Sequence, residues 1–123
     1  VEYKVEYDAD SGVCEIRVSG LHARPRDSQE LMRVAGTYAI EQGCTRFLFD
    51  LREATIVGGT MAAYETILDT EKYGVQKVFR VAAVYSRISE DEKFIEDLGA
   101  YRGAVAFQVF NDIYAAREWV ARE

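Results

Sequence analysis

The chain has 123 residues, enough to bury one hydrophobic core and short for two. Hydrophobic residues make up 49% and charged residues 29%, a globular balance that argues against disorder. Its 21 Asp and Glu against 15 Lys and Arg leave a net charge of −6, which disfavours nucleic acid and an anionic membrane surface, because both need a concentrated basic patch.

Tyr3, Val5 and Tyr7 alternate with Glu2, Lys4 and Glu6, the period of a half-buried strand. Asp8-Ala9-Asp10-Ser11-Gly12 supplies turn chemistry. Cys14, Ile16 and Val18 then alternate with Glu15 and Arg17, so the chain opens on an antiparallel hairpin. Nothing in this start resembles the apolar core of a signal peptide, and no later run reaches the length of a membrane span; a cytoplasmic protein is expected. Cys14 and Cys44 lack C-x-x-C spacing, so neither a disulfide framework nor a zinc site is indicated. Cys14 falls on the apolar phase of its strand, as a small buried hydrophobe would.

Residues 20–26 read as a loop carrying His22, Arg24 and Arg26. Asp27-Ser28-Gln29-Glu30 has the form of a capping box, with Asp27 at the N-cap. Leu31, Val34, Ala35, Tyr38 and Ala39 recur at helical spacing, and Gly43 suits the position just past the helix end. Residues 45–51 form a short, nearly unbroken apolar run, the mark of a central parallel strand buried on both faces. Residues 52–57 read as the connection to a second amphipathic helix over 61–73, with Met61, Tyr64, Ile67 and Leu68 on one face and Gly74 closing it.

Residues 78–85 predict another central strand. Ser89-Glu90-Asp91-Glu92 is a second capping box, opening a helix with Phe94, Ile95, Leu98 and Tyr101 on one face and the acids of residues 90–97 as its solvated side. Residues 104–110 form the last strand, and Asn111 caps a final helix in which Ile113, Ala116, Trp119 and Val120 share a face. The order is ββαβαβαβα. Strands alternating with helices imply parallel crossovers, so the expected fold is α/β, a mostly parallel sheet with one antiparallel strand at its start. No linker, repeat or low-complexity run divides it, and residues 1–123 are read as a single domain. The alternation leaves strand order open.

This order, together with Gly12-Val13-Cys14-Glu15-Ile16-Arg17-Val18-Ser19-Gly20 and Phe47-Leu48-Phe49-Asp50-Leu51, resembles the STAS domain family over nearly the whole chain. That family includes anti-sigma factor antagonists and the cytoplasmic domains of sulfate transporters. In antagonist members the equivalent of the second segment leads to an Asp-Ser-Ser-Gly-like motif at a helix start, where a partner kinase phosphorylates a Ser. Counting on from Asp50 places Gly58-Gly59-Thr60-Met61 there, with Thr60 at the phosphorylated position. The acidic residue, first Ser and Gly of the motif are here Gly58, Gly59 and Met61, a departure that fits the divergent SpoIIAA-like proteins of bacteria better than a kinase-controlled antagonist.

Apart from any resemblance, Thr60 can act as a helix N-cap, and no acidic side chain follows until Glu65 to balance the positive end of the helix. Gly58-Gly59 leaves the backbone open to close approach by an anion; the alternative is a tight strand-to-helix connection, since no Gly-Lys-Ser/Thr follows. Asp50 and Arg52 are read as a surface ion pair or loop anchor rather than a catalytic pair. His22, the only histidine, is expected at the solvent, where with Arg24 and Arg26 it could form a small anion-binding edge near Thr60. No catalytic set, metal site or cofactor motif emerges.

Three readings compete. One is a non-enzymatic regulatory or protein-interaction module, working through Gly58, Gly59, Thr60, Met61 and Tyr64 with Asp50, Arg52, His22 and Arg24 in support. Its partner would be another protein or a second copy as a homodimer. Another is a binder of a small anionic or lipid-like ligand at the same helix start. The third is an enzyme, for which the titratable residues are few.

Overall fold

The computed structural model describes residues 2–59, 61–62, 80–102 and 106–122. Five strands, β1 (Glu2–Asp8), β2 (Val13–Ala23), β3 (Arg46–Val57), β4 (Arg80–Val84) and β5 (Ala106–Phe110), form one sheet in the order β1-β2-β3-β4-β5. β1 runs antiparallel to β2, and all other pairs are parallel. The helices are α1 (Arg26–Gln42), α2 (Glu90–Arg102) and α3 (Ile113–Ala121). Met61 and Ala62 are helical; the rest of the helix expected over 61–73, with Tyr64, Ile67 and Leu68, lies outside the described residues, as do Thr60 and Gly74.

Each parallel crossover needs a covering layer, and the side chains divide accordingly. Cys14, Ile16, Val18, Phe47, Phe49, Leu51, Val81 and Ala83 bury one sheet face beneath Leu31, Val34 and Ala35 of α1. Phe107 joins that core to Phe94 and Ile95 of α2. On the opposite face Val13, Leu48, Ala82 and Val84 meet Ile113, Ala116 and Val120 of α3. Burying a side chain such as Phe47 or Leu48 contributes about 1.5–3 kcal/mol, so the doubly buried β3 start is the centre of the fold. The two cysteines sit in this interior unbridged, and the Cys44 thiol donates to the Arg46 carbonyl at 3.2 Å. At the amino edge of the sheet, Arg46 bonds the carbonyls of Val120 and Arg122 at 2.8 and 2.6 Å, tying down the end of α3.

Several element ends differ from those expected. β2 continues to Ala23 instead of giving way to a loop at Gly20, and β3 continues to Val57 rather than stopping near Leu51. The cause is a β-bulge. Between the pairs Arg17↔Asp50 and Ser19↔Glu53, β3 has Leu51 and Arg52 where β2 has only Val18. Beyond it the alternation changes phase, so Ala54 and Ile56 turn to the α1 face.

Helix α1 starts at Arg26 with Pro25 at the N-cap position. Asp27 therefore lies inside the first turn and reaches back to accept from the Ala23 N–H at 2.7 Å. Asp112, not Asn111, caps α3, accepting from the Tyr114 N–H at 2.9 Å. The box at Ser89 does form: Glu92 accepts from the Ser89 N–H at 3.0 Å. Gly43 closes α1 in the left-handed region, at φ 67°.

Candidate functional site at the carboxyl edge of the sheet

The parallel strands deliver Arg24, Gly58 and Tyr85 to the same edge, one residue beyond the ends of β2, β3 and β4. In open α/β sheets this is where ligands and partners meet the fold. Gly58 is the junction. Its φ is 114°, which only glycine adopts without strain, and a Cβ there would stand 3.1 Å from both the Arg24 carbonyl oxygen and the Ala62 Cβ. The Arg24 N–H donates to the Val57 carbonyl at 2.9 Å, closing the two strand ends together. A Cβ built at Gly59 would meet nothing within 4 Å among the described residues.

Beneath this junction lies a buried polar cluster. The Arg24 side chain is 2% exposed, and its Nη1 donates to Glu92 Oε2 at 2.9 Å. Its Nη2 donates to the Tyr85 hydroxyl at 3.2 Å. The other Glu92 oxygen accepts from both the backbone and the hydroxyl of Ser89, the latter at 2.6 Å. Burial works to raise the Glu92 carboxyl, but the Ser89 bonds and the Arg24 charge outweigh it and hold it below the usual range. Burial, with the Glu92 charge added to it, pushes the Tyr85 phenol up against the pull of Arg24.

His22 is 2% exposed and shares a 2.9 Å hydrogen bond with Ser28 through Nε2. Its Nδ1 has no hydrogen-bond partner among the described residues. Burial, reinforced by the Arg24 charge, lowers its pKa to about 4, so the ring is neutral at physiological pH.

The exposed cationic edge expected from His22, Arg24 and Arg26 is therefore absent. β2 runs on through His22 and turns it under α1, and the Arg24 charge is spent on Glu92. Arg26 alone of the three reaches the surface, paired with Asp27. Glu92, expected on the solvated side of its helix, is buried for the same reason. Sequence spacing could not signal this cluster, because Arg24 and Glu92 are 68 positions apart.

Asp50 and Arg52 occupy the bulge. Arg52 grips Asp50 with two bonds of 2.8 Å and a backbone N–H at 3.2 Å, while Arg17 adds a more distant charge at 3.9 Å. Burial opposes ionisation of Asp50, yet these cations hold its carboxyl below the usual range. The pair anchors the bulge.

Three apolar side chains are exposed at this edge, among exposed polar neighbours such as Arg26, Ser86, Arg87 and Glu90. Met61 is 70% exposed, and Val57 and Ile88 are each 37% exposed. Two open clefts of about 500 and 490 Å³ lie instead over the β1–β2 hairpin, lined largely by charged side chains such as Glu6, Glu15 and Arg17. Among the described residues no group of three metal-ligating side chains converges, and no helix is long and apolar enough to cross a membrane.

Sheet order, the antiparallel first strand and the helices on both faces together define the SpoIIAA-like fold. Solved structures bear this out. An uncharacterised protein of the DUF3478 family with a SpoIIAA-like fold, from Shewanella loihica PV-4, matches with a TM-score of 0.60 at 17% identity, covering 97% of this chain and 92% of that one. The unphosphorylated form of the anti-sigma factor antagonist SpoIIAA matches with a TM-score of 0.57 at 14% identity, covering 95% of this chain and 94% of that one. No family model matches the sequence, and no curated protein matches it.

Proposed function

We propose that the protein is a non-enzymatic regulatory module of the cytoplasm that docks a partner protein on the carboxyl edge of its sheet. One observation carries this reading. The Arg24–Glu92 pair beneath that edge is buried and committed, and above it Met61, Val57 and Ile88 expose apolar side chains among the exposed Arg26, Arg87 and Glu90. A substrate site would draw on converging buried polar groups, and those beneath this edge are taken up by each other. A hot spot of apolar anchors over a rigid base is what protein docking needs. The likeness to an anti-sigma factor antagonist supports this through the fold. Gly58, Gly59 and Met61 belong to the surface, Tyr64 is a further candidate from the sequence, and Thr60 is its candidate point of control.

The test compares wild-type protein with Met61→Glu as bait in lysate of the source organism. Met61 is exposed, so the substitution leaves stability within about 0.5 kcal/mol. A protein retained by wild type and lost with Met61→Glu is the expected result; identical retention overturns the surface. Phosphorylation of Thr60 would add about −1.5 to −2 charge. Thr60→Glu is accordingly expected to release the same partner, and unaltered binding removes Thr60 as a switch. A thermal-shift screen in which anionic or lipid-like compounds stabilise the protein would favour ligand binding instead.

A further inference from the structure

The sheet has more than one open edge, and the protein treats them differently. β1, at one side, carries Glu2, Lys4, Glu6 and Asp8, charges that discourage another strand from pairing. β5, at the other side, has its Val109 N–H taken by Glu96 Oε2 at 2.6 Å. A third edge arises from the unequal strand lengths. β4 ends at Val84, opposite Asp50, so among the described residues β3 pairs beyond Asp50 with β2 alone.

The bonding on that side can be read from register. In a parallel ladder successive residues point their backbone groups to opposite sides of the strand. The Val57 carbonyl accepts from the Arg24 N–H, so Val57 faces β2. Thr55 and Glu53 share its direction, and Ile56 and Ala54 point the other way. Two N–H and two C=O groups thus point away from β2, where no strand stands beside them among the described residues. This stretch, Ala54-Thr55-Ile56-Val57, is mostly β-branched and carries no charge or Pro; the bulge and the charges of Arg52 and Glu53 lie before it. Two exposed apolar side chains, Ile88 in the connection after β4 and Tyr114 in the first turn of α3, follow the neighbouring strand ends at the same edge.

The geometry points to strand addition: an extended peptide segment of a partner protein pairs with the outward backbone groups of Ala54 and Ile56, continuing the line of β4. This rests on the docking reading above and names how the partner is held. Backbone groups in a row ask for an extended chain, and alternate side chains of that chain would meet Ile88 and Tyr114.

Amide hydrogen exchange on the full chain is the first test. In the free protein the Ala54 and Ile56 amides are expected to exchange at least tenfold faster than those of Thr55 and Val57. Equal protection of all four shows the edge to be closed and overturns the proposal. Linear twelve-residue peptides selected by display on the immobilised protein are then added. The expected result is at least tenfold slowing at Ala54 and Ile56, with affinity falling tenfold or more in Ile56→Pro, which lacks the outward N–H. Thr55→Pro loses an inward bond and serves as the control for folding, both variants being checked by circular dichroism. Selection of no peptide, or of peptides that protect other amides, overturns strand addition. Protection that grows with protein concentration alone, with a dimer by light scattering, assigns the edge to a second copy. Loss of a partner in Met61→Glu but not in Ile56→Pro leaves the docking surface standing and removes strand addition.

Discussion

Gly58 is where three pieces of chain come closest, and its substitution separates backbone strain from mere loss of flexibility. A Cβ at Gly58 meets the Arg24 carbonyl oxygen and Ala62 at 3.1 Å, on a backbone with φ 114°. Gly58→Ala is expected to destabilise the protein by about 1–3 kcal/mol. Gly59→Ala, with open space around it, should change stability by no more than about 0.5 kcal/mol. Urea midpoints of the two variants decide it. Equal effects would mean that close packing at Gly58 does not hold the strand ends together.

Arg24 and Glu92 call for a different test, because a buried ion pair is costly to break and of little net worth when intact. With side chains 2% and 6% exposed, either partner alone is an uncompensated charge. Arg24→Met is expected to cost about 3–5 kcal/mol, and so is Glu92→Met. The double variant should recover most of that loss. Additive losses in denaturant unfolding would show that the two side chains act through separate contacts, Arg24 through Tyr85 and Glu92 through Ser89.

At the scale of elements, some parts of the fold were open to reading from sequence and others were closed. Residues 47–51 and the face of α1 could be read because a single period governs each: an unbroken apolar run, and Leu31, Val34 and Ala35 at helical spacing. The far halves of β2 and β3 could not. The bulge at Leu51 and Arg52 breaks the alternation, and Gly20, Glu53 and an exposed Leu21 look like loop chemistry when no partner strand is in view. The buried cluster was hidden for a related reason. His22 and Arg24 read as surface residues until tertiary contacts supply Ser28, Glu92 and Tyr85. Of the proposed surface, Gly58, Gly59 and Met61 were named from sequence and Val57 and Ile88 were not, because exposed apolar side chains over a locked polar base depend on those contacts.

A cap belongs to this scale as well. Asp112 accepts from the Tyr114 N–H, and α3 has no acidic residue in its first turn to share the work. Asp112→Ala should therefore cost about 1 kcal/mol, and Asn111→Ala much less. The reverse order in thermal melts would return the cap to Asn111.

For the whole molecule, the buried groups set the response to acid, and they act in two separate pH windows. His22 has a folded pKa of about 4 against an ordinary 6.5, because burial and Arg24 disfavour its charge. A base held neutral in the fold leaves stability unaffected above pH 6.5. Below that the unfolded chain takes up a proton that the folded chain refuses, so stability falls as pH drops from 6.5 toward 4. The full loss is about 3 kcal/mol, with a slope near 1.4 kcal/mol per pH unit in mid-window. Asp27, Asp50 and Glu92 have folded pKa values below their ordinary ones, so their contributions are complete above the carboxylate range. These are lost only as pH falls through it. The profile should thus decline first on His22 alone and then steeply on the carboxylates. His22→Gln keeps a side chain able to bond Ser28 but cannot titrate, and it is expected to flatten the curve between pH 6.5 and 4.5 while leaving the steep acid limb in place. Urea unfolding of both proteins at half-unit pH steps tests this directly. An unchanged slope in His22→Gln would mean that the ring opens to solvent before it protonates, and that the base beneath Gly58 is less rigid than partner docking on this edge requires.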